Sequence, residues 1–163
     1  MQKVIVVVGL PGSGKSTWLA ANHCPTLSSD DLRRLLRDDE ADQSIHAIVF
    51  SLLRKMLHLR IQLGAKVSYI DATNLTRRER RTYIKIAEFY GLEVEALYFD
   101  TPFEICLQRN RLRKRVVPEG AIHMLAAKLR PPTVEEGFSK VVLVSTNVEP
   151  AATAVPEPAS PTH

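Results

Sequence analysis

Two cysteines are all the chain has, and Cys24 and Cys106 lie far apart with no metal-ligand spacing. They read as two reduced thiols, which points to a cytoplasmic protein. No apolar run approaches the ~20 residues of a membrane span, so no membrane partner is expected. The N-terminal segment carries a lone basic residue, Lys3, and its apolar run is short. It is therefore read as a core strand and not as a signal peptide. No internal repeat is found. Charge of one sign is not strongly dominant either. The net charge is +4 and the isoelectric point about 9.2, a mild basicity that suggests an anionic partner.

What is present fits a globular chain. Hydrophobic residues make up 45% and charged residues 25%, and 163 residues suffice for one domain with a real core. Strand and helix signals alternate, the pattern of a parallel sheet flanked by helices. Strands are expected at Lys3 to Val8, Pro25 to Ser28, Val67 to Asp71, Glu93 to Phe99 and Lys140 to Val144. Helices are expected from Gly14 to Asn22, from a cap at Ser29 or Asp30 to Leu36, and from Thr76 to Tyr90. Ile45, Ile48, Val49, Leu52, Leu53, Met56, Leu57 and Leu63 recur at helical steps and predict a long amphipathic helix ended near Gly64. Pro102 and Pro118 each open a further helix. The domain spans residues 1–148, and the Pro- and Ala-rich tail, 149–163, has too little apolar content to fold.

Gly9-Leu10-Pro11-Gly12-Ser13-Gly14-Lys15-Ser16 reads G-x-x-x-x-G-K-S, directly behind the apolar strand and ahead of a helix. In that context the pattern is a phosphate-binding loop. Glycines let successive N–H groups point at one anion, and the helix adds its positive dipole end. Lys15 can reach the β- and γ-phosphates and the Ser16 hydroxyl can hold Mg²⁺. Gly12, Ser13, Gly14, Lys15, Ser16 and Thr17 are thus the expected contacts to ATP or another nucleoside triphosphate.

A loop of this kind does not name the acceptor. Asp30-Asp31-x-Arg33 follows the second strand, where ligands of open α/β sheets bind. A carboxylate there can take a proton from an attacking hydroxyl, and Arg33 can hold a phosphate bidentately. The same letters also suit an ordinary helix start. Asp71-Ala72-Thr73-Asn74-Leu75 ends the third strand; Asn74 and Thr76 fit a turn and cap, whereas Asp71 precedes the turn and fits them less well. Arg77, Arg78, Arg80 and Arg81 form one basic knot, readable as a solvated helix face. Arg109, Arg111, Arg113, Lys114 and Arg115 form a second, between two helices. Arg109 and Arg113, four apart, are expected on one helix face. An arginine-rich helix-loop-helix here behaves as a lid that closes over ATP and brings arginines to the transferred phosphoryl only on closure.

Taken together, G-L-P-G-S-G-K-S-T-W, S-S-D-D-L-R, I-D-A-T-N-L-T-R-R-E-R-R and R-N-R-L-R-K-R-V-V-P-E resemble the kinase domain of phage and bacterial 5′-polynucleotide kinases, over about residues 3–145. The resemblance implies a P-loop kinase fold with a helical lid, and transfer of the ATP γ-phosphate to the 5′-hydroxyl of DNA or RNA. It implies Asp30 as general base, Arg33 as a contact to the acceptor's 3′-phosphate and Asp71 as a supporting cleft carboxylate. Arg109 and Arg113 resemble the lid arginines on the donor, and Lys15 and Ser16 the loop lysine and metal-side hydroxyl. Many such relatives fuse this domain to a phosphatase or ligase; here the kinase is expected to act alone or with separate chains.

Two rivals share the loop. A small-molecule kinase for a sugar acid, nucleoside or nucleotide-sugar would keep a base and a lid but need fewer arginine knots. A non-catalytic nucleotide-binding module or switch is opposed by Asp30. Motor ATPases position water with an apolar strand ending in Asp-Glu, and no such strand occurs here.

Overall fold

A computed structural model of the protein describes residues 1–145. The expected tail, 149–163, lies outside the described residues. Strand β1 (Lys3–Val8) has Val4, Val6, Val7 and Val8 fully buried, because it is the central strand of the sheet. It is flanked by β3 (Val67–Asp71) and β4 (Glu93–Phe99), with β2 (Thr26–Ser28) and β5 (Lys140–Val144) outermost. The order is β2-β3-β1-β4-β5 and every pairing is parallel. A parallel sheet covered on both faces needs apolar runs rather than alternation, which is why Val4 to Val8 carry no polar residue.

The two faces take different helices. Val4, Val6 and Val8 pack with α3 (His46–Gln62) and α4 (Arg77–Phe89), through Val49, Leu53, Leu57, Tyr83, Ile84 and Ala87. Ile5 and Val7 point the other way, toward Trp18 and Leu19 of α1 (Lys15–Ala21) and Phe99 of β4. A third cluster caps the C-terminal edge of the sheet: Leu10, Leu75 and Cys106, with Phe103 of α5 (Phe103–Arg111) and Leu125 of α6 (Glu119–Lys128). The chain reverses at β1, with β3 on one side and β4 on the other. A crevice forms beyond the strand ends at such a switch point.

Local differences from the sequence reading have local causes. The cap of α2 (Ser29–Arg37) is Ser28, whose hydroxyl accepts from Asp31 N–H; Ser29 and Asp30 are already helical. That leaves the Asp30 carboxylate available for the cleft. Pro102 and Pro118 occupy the cap positions of α5 and α6, not the first helical positions. In α3 the buried stripe is Val49, Leu53, Leu57 and Ile61, at strict four-residue steps, while Ile48 and Leu63 are exposed. Thr76 and Glu79 form a reciprocal capping box at the start of α4, as its cap required. Both cysteines are free thiols, Cys106 buried and Cys24 half-buried. Among the described residues no helix is long and apolar enough to cross a membrane.

Candidate active site

The loop from Gly9 to Gly14 turns back over the C-terminal end of β1. Gly12 and Gly14 hold φ of 80° and 97°, a region that L side chains strain to enter. At Gly12 a Cβ would also lie 2.5 Å from the Cys106 carbonyl oxygen, so α5 presses directly on the loop. Gly9 N–H donates to Thr73 O (3.1 Å), tying the loop to the turn after β3. Ser13 is buried behind the loop: its N–H donates to Leu10 O (3.1 Å), and Thr101 Oγ1 donates to Ser13 O (2.8 Å). Helix α1 starts at Lys15 with no side-chain cap, so its first N–H groups are left for an anion.

Lys15 is buried and folds onto its own loop, donating to Gly9 O (2.7 Å) and Leu10 O (3.0 Å). Two neutral carbonyls do not replace lost hydration. Burial lowers its pKa to about 8, only partly offset by the charge of Asp71. Asp71 shows the mirror effect. Burial raises its pKa, the nearby Lys15 charge pulls it back, and the Asp30 and Asp31 carboxylates push it up again.

An open cleft of about 850 Å³ runs from this loop across the sheet edge. Gly12, Gly14, Lys15, Ser16 and Thr17 line it together with Asp30, Arg33, Asp71, Arg109 and Arg113. Every residue that sequence reading put in the site is therefore on this wall, except Ser13. Its volume lies within the roughly 300–1,000 Å³ of small-molecule sites.

Helix α2 supplies a second charged group of the cleft. Arg33 is 4% exposed, and its Nη1 donates to Asp30 Oδ1 (3.1 Å). Its Nε is buried with no hydrogen-bond partner among the described residues. Burying a guanidinium with an unsatisfied N–H is costly unless a ligand completes it. Asp31 turns outward to Arg34 (2.7 Å), so the two neighbouring carboxylates are not equivalent.

The second arginine knot departs from expectation. Helix α5 ends at Arg111, so Arg113 is in the following loop and does not share a helix face with Arg109. Arg109 Nη1 already lies 3.5 Å from Ser13 O, against the phosphate loop, with no closure required. Arg115 Nη1 lies 3.5 Å from Asp30 Oδ2 and 3.9 Å from Glu40, so the loop reaches across to α2 as well. Its path is fixed by Asn110, fully buried, which donates to Val117 O (2.7 Å) and accepts from Val117 N–H (3.0 Å). An asparagine flanked by arginines gave no sequence signal for this role.

The first knot is split too. Arg80 is fully buried: it donates to Glu136 through Nε (2.8 Å) and Nη2 (2.5 Å), and through Nη1 to Asn74 O and Leu75 O (both 3.0 Å). Arg77 reaches the same carboxylate at 3.4 Å. Asn74, at φ 48°, donates in turn to Val7 O (2.8 Å). The turn after Asp71 is thus held between β1 and α4. The knot is readable as a solvated face from sequence because Glu136 lies 56 residues away.

Among the described residues no cluster of three or more His, Cys, Asp or Glu could hold a metal. Mg²⁺ asks for less, since one or two carboxylates and substrate phosphates suffice. Exposed Ser16 and the Asp71 carboxylate line the same stretch of the cleft and fit that donor set. Asp71 is followed by Ala72, so the strand lacks the glutamate with which motor ATPases orient water.

Residues 4–132 match a family model described as an AAA domain. The bifunctional polynucleotide phosphatase/kinase of Schizosaccharomyces pombe is 28% identical over 145 residues, 86% of this chain and 33% of that protein. The chain spans a third or less of the curated relatives it matches. Among solved structures, the Pnkp1/Rnl/Hen1 RNA repair complex superposes with a TM-score of 0.63 at 20% identity, over 78% of this chain and 44% of that one. A sugar kinase from Janibacter sp. HTCC2649 superposes with a TM-score of 0.63 at 20% identity, over 89% and 86%. The chain shares with these two structures one fold, a parallel sheet flanked by helices.

Proposed function

The chain belongs to the AAA-domain family, and from that premise we propose that it is an ATP-dependent polynucleotide 5′-hydroxyl kinase. One observation carries the acceptor class. A buried arginine with an unpartnered N–H stands 3.1 Å from the carboxylate best suited to be the base. Such a pair suits an acceptor that carries a phosphate close to its reacting hydroxyl. A nucleic-acid 5′ end has both on one sugar, the 5′-hydroxyl and the 3′-phosphodiester, whereas a free sugar has only the hydroxyl. The likeness to the S. pombe phosphatase/kinase supports the same reading.

The residues divide the work. Gly12, Gly14, Lys15, Ser16 and Thr17 cradle the triphosphate, and Lys15 leaves its resting carbonyls to meet the β- and γ-phosphates. Ser16 and Asp71 would hold Mg²⁺, which supplies neutralising charge to those phosphates. Arg33 fixes the acceptor's 3′-phosphate. Asp30 accepts the 5′-hydroxyl proton as that oxygen bonds the γ-phosphorus; the bond from this phosphorus to the β–γ bridging oxygen breaks, and ADP leaves. Arg109 and Arg113 stabilise the charge on the transferred group. Most of the barrier is lowered by position and electrostatics, as phosphoryl transfer requires.

The test offers γ-labelled ATP with 5′-OH DNA and RNA oligomers, a nucleoside 3′-monophosphate, a bare nucleoside and a panel of sugars and sugar acids. Label should reach the oligomers and the 3′-monophosphate with higher kcat/KM than the nucleoside. Arg33→Lys should erase most of that difference, because a point charge does not replace a guanidinium fork. Equal use of all nucleoside acceptors, or preference for a sugar acid, would overturn the reading.

A further inference from the structure

The cleft has a wall that the phosphoryl chemistry leaves unused. The first turn of α3 carries His46 and Phe50 into it, and both line the same cleft as Asp30 and Arg33. Their ring centroids are 4.5 Å apart with planes 34° from parallel, a tilted stack. The Arg33 guanidinium lies 5.9 Å from the Phe50 ring centroid. Phe50 is half-buried and packs against the main core, while His46 is exposed. The lead-in to this turn is braced: Asp42 accepts from Ser44 N–H (2.8 Å) and from Arg37 Nε (3.1 Å).

We infer that His46 and Phe50 form the platform on which the nucleobase of the acceptor's 5′-terminal nucleotide stacks. The inference rests on the polynucleotide reading and names its base subsite. Arg33 is flanked by Asp30 at 3.1 Å and by the Phe50 ring at 5.9 Å. A nucleotide seated with its 3′-phosphate on Arg33 would then turn its 5′-hydroxyl to Asp30 and its base to the rings. Every base offers a π-face, so such a platform binds all four with little preference. Phe50 is anchored by the core, so the exposed His46 imidazole resting on it is the ring left open to a stacking partner.

Two oligomers test this without altering the protein: one with an ordinary 5′-terminal nucleotide and one whose 5′-terminal residue is abasic, both with free 5′-OH. The wild-type chain should use the abasic end with kcat/KM lower by on the order of tenfold, as loss of one stacked base implies, carried mainly by KM. His46→Ala with Phe50→Leu should bring the two oligomers level while the KM for ATP stays unchanged; leucine keeps the core contact of Phe50. A 5′-terminal 2-aminopurine, titrated without ATP, should lose fluorescence on binding the wild-type chain and not the double variant. Equal wild-type use of both oligomers would overturn the platform while leaving the kinase reading standing. So would discrimination that survives in the folded double variant. Failure to phosphorylate any oligomer overturns both.

Discussion

Raising the pH from 7 to 9 should weaken ATP binding by on the order of tenfold, through Lys15 alone. In the nucleotide-free protein this ammonium is buried against two carbonyl oxygens, and burial lowers its pKa to about 8. At pH 7 it is mostly charged; at pH 9 only about a tenth of molecules keep the proton. A triphosphate laid on the same nitrogen favours the charged form and raises the pKa again. Affinity is then full below pH 8 and falls by about a decade per unit above it. Binding should take up about half a proton at pH 8 and close to one at pH 9. Stability moves the opposite way. The unfolded lysine has its ordinary value of 10.5 and the folded one about 8. Between these the unfolded chain holds a proton that the folded chain has released, so this group makes the nucleotide-free protein more stable as pH rises. Calorimetric titration at pH 8 and 9, in two buffers of different ionisation enthalpy, reads the proton uptake directly. Lys15→Ala should abolish the uptake and lower phosphoryl transfer on the order of 10²-fold or more. A flat affinity from pH 7 to 9 with no proton uptake would refute the argument.

Asp30→Asn should cut turnover far more than ATP affinity, because asparagine keeps the size of the side chain but cannot take the hydroxyl proton. Near-normal turnover, with ATP affinity measured alongside, would reduce Asp30 to a helix residue. Arg80→Met should destabilise the fold by about 3 kcal/mol, since it leaves the buried Glu136 carboxylate only the exposed Arg77 as a cation; Glu136→Gln should cost less, and chemical denaturation of both checks the order. Arg113→Ala should lower transfer to long and short acceptors by a similar factor and leave oligomer binding without ATP unchanged. Weaker oligomer binding with a shallower salt dependence would assign Arg113 to the nucleic-acid track instead.

The fold was legible because each of its elements announces itself locally. Val4 to Val8 must be a strand buried on both faces, and G-x-x-x-x-G-K-S behind it requires a helix; α3 and α4 follow from period and caps. What could not be read was any pairing that joins distant parts of the chain. Arg80 looks like its neighbours until Glu136 returns to it, and Asn110 looks like a spacer until Val117 folds back. The cap of α2, expected at Ser29 or Asp30, is Ser28, and that matters chemically: a capping Asp30 would spend its carboxylate on backbone N–H groups, whereas a helical Asp30 can face the cleft.

The site was legible in proportion to how much of its chemistry is carried by one segment. The donor half is a single contiguous loop, and its residues proved to be neighbours because they are neighbours in sequence. On the proposed reading the acceptor half would be assembled from α2, the start of α3 and the 112–117 loop. Only Asp30 and Arg33, one helical turn apart, gave a local signal. His46 and Phe50 are separated from them by a braced turn of no obvious motif, and Arg115 approaches Asp30 from 85 residues away. On the proposed reading, substrate choice rests on the wall formed by Arg33, His46 and Phe50, where a buried guanidinium and two stacked rings line the same cleft as the phosphate loop.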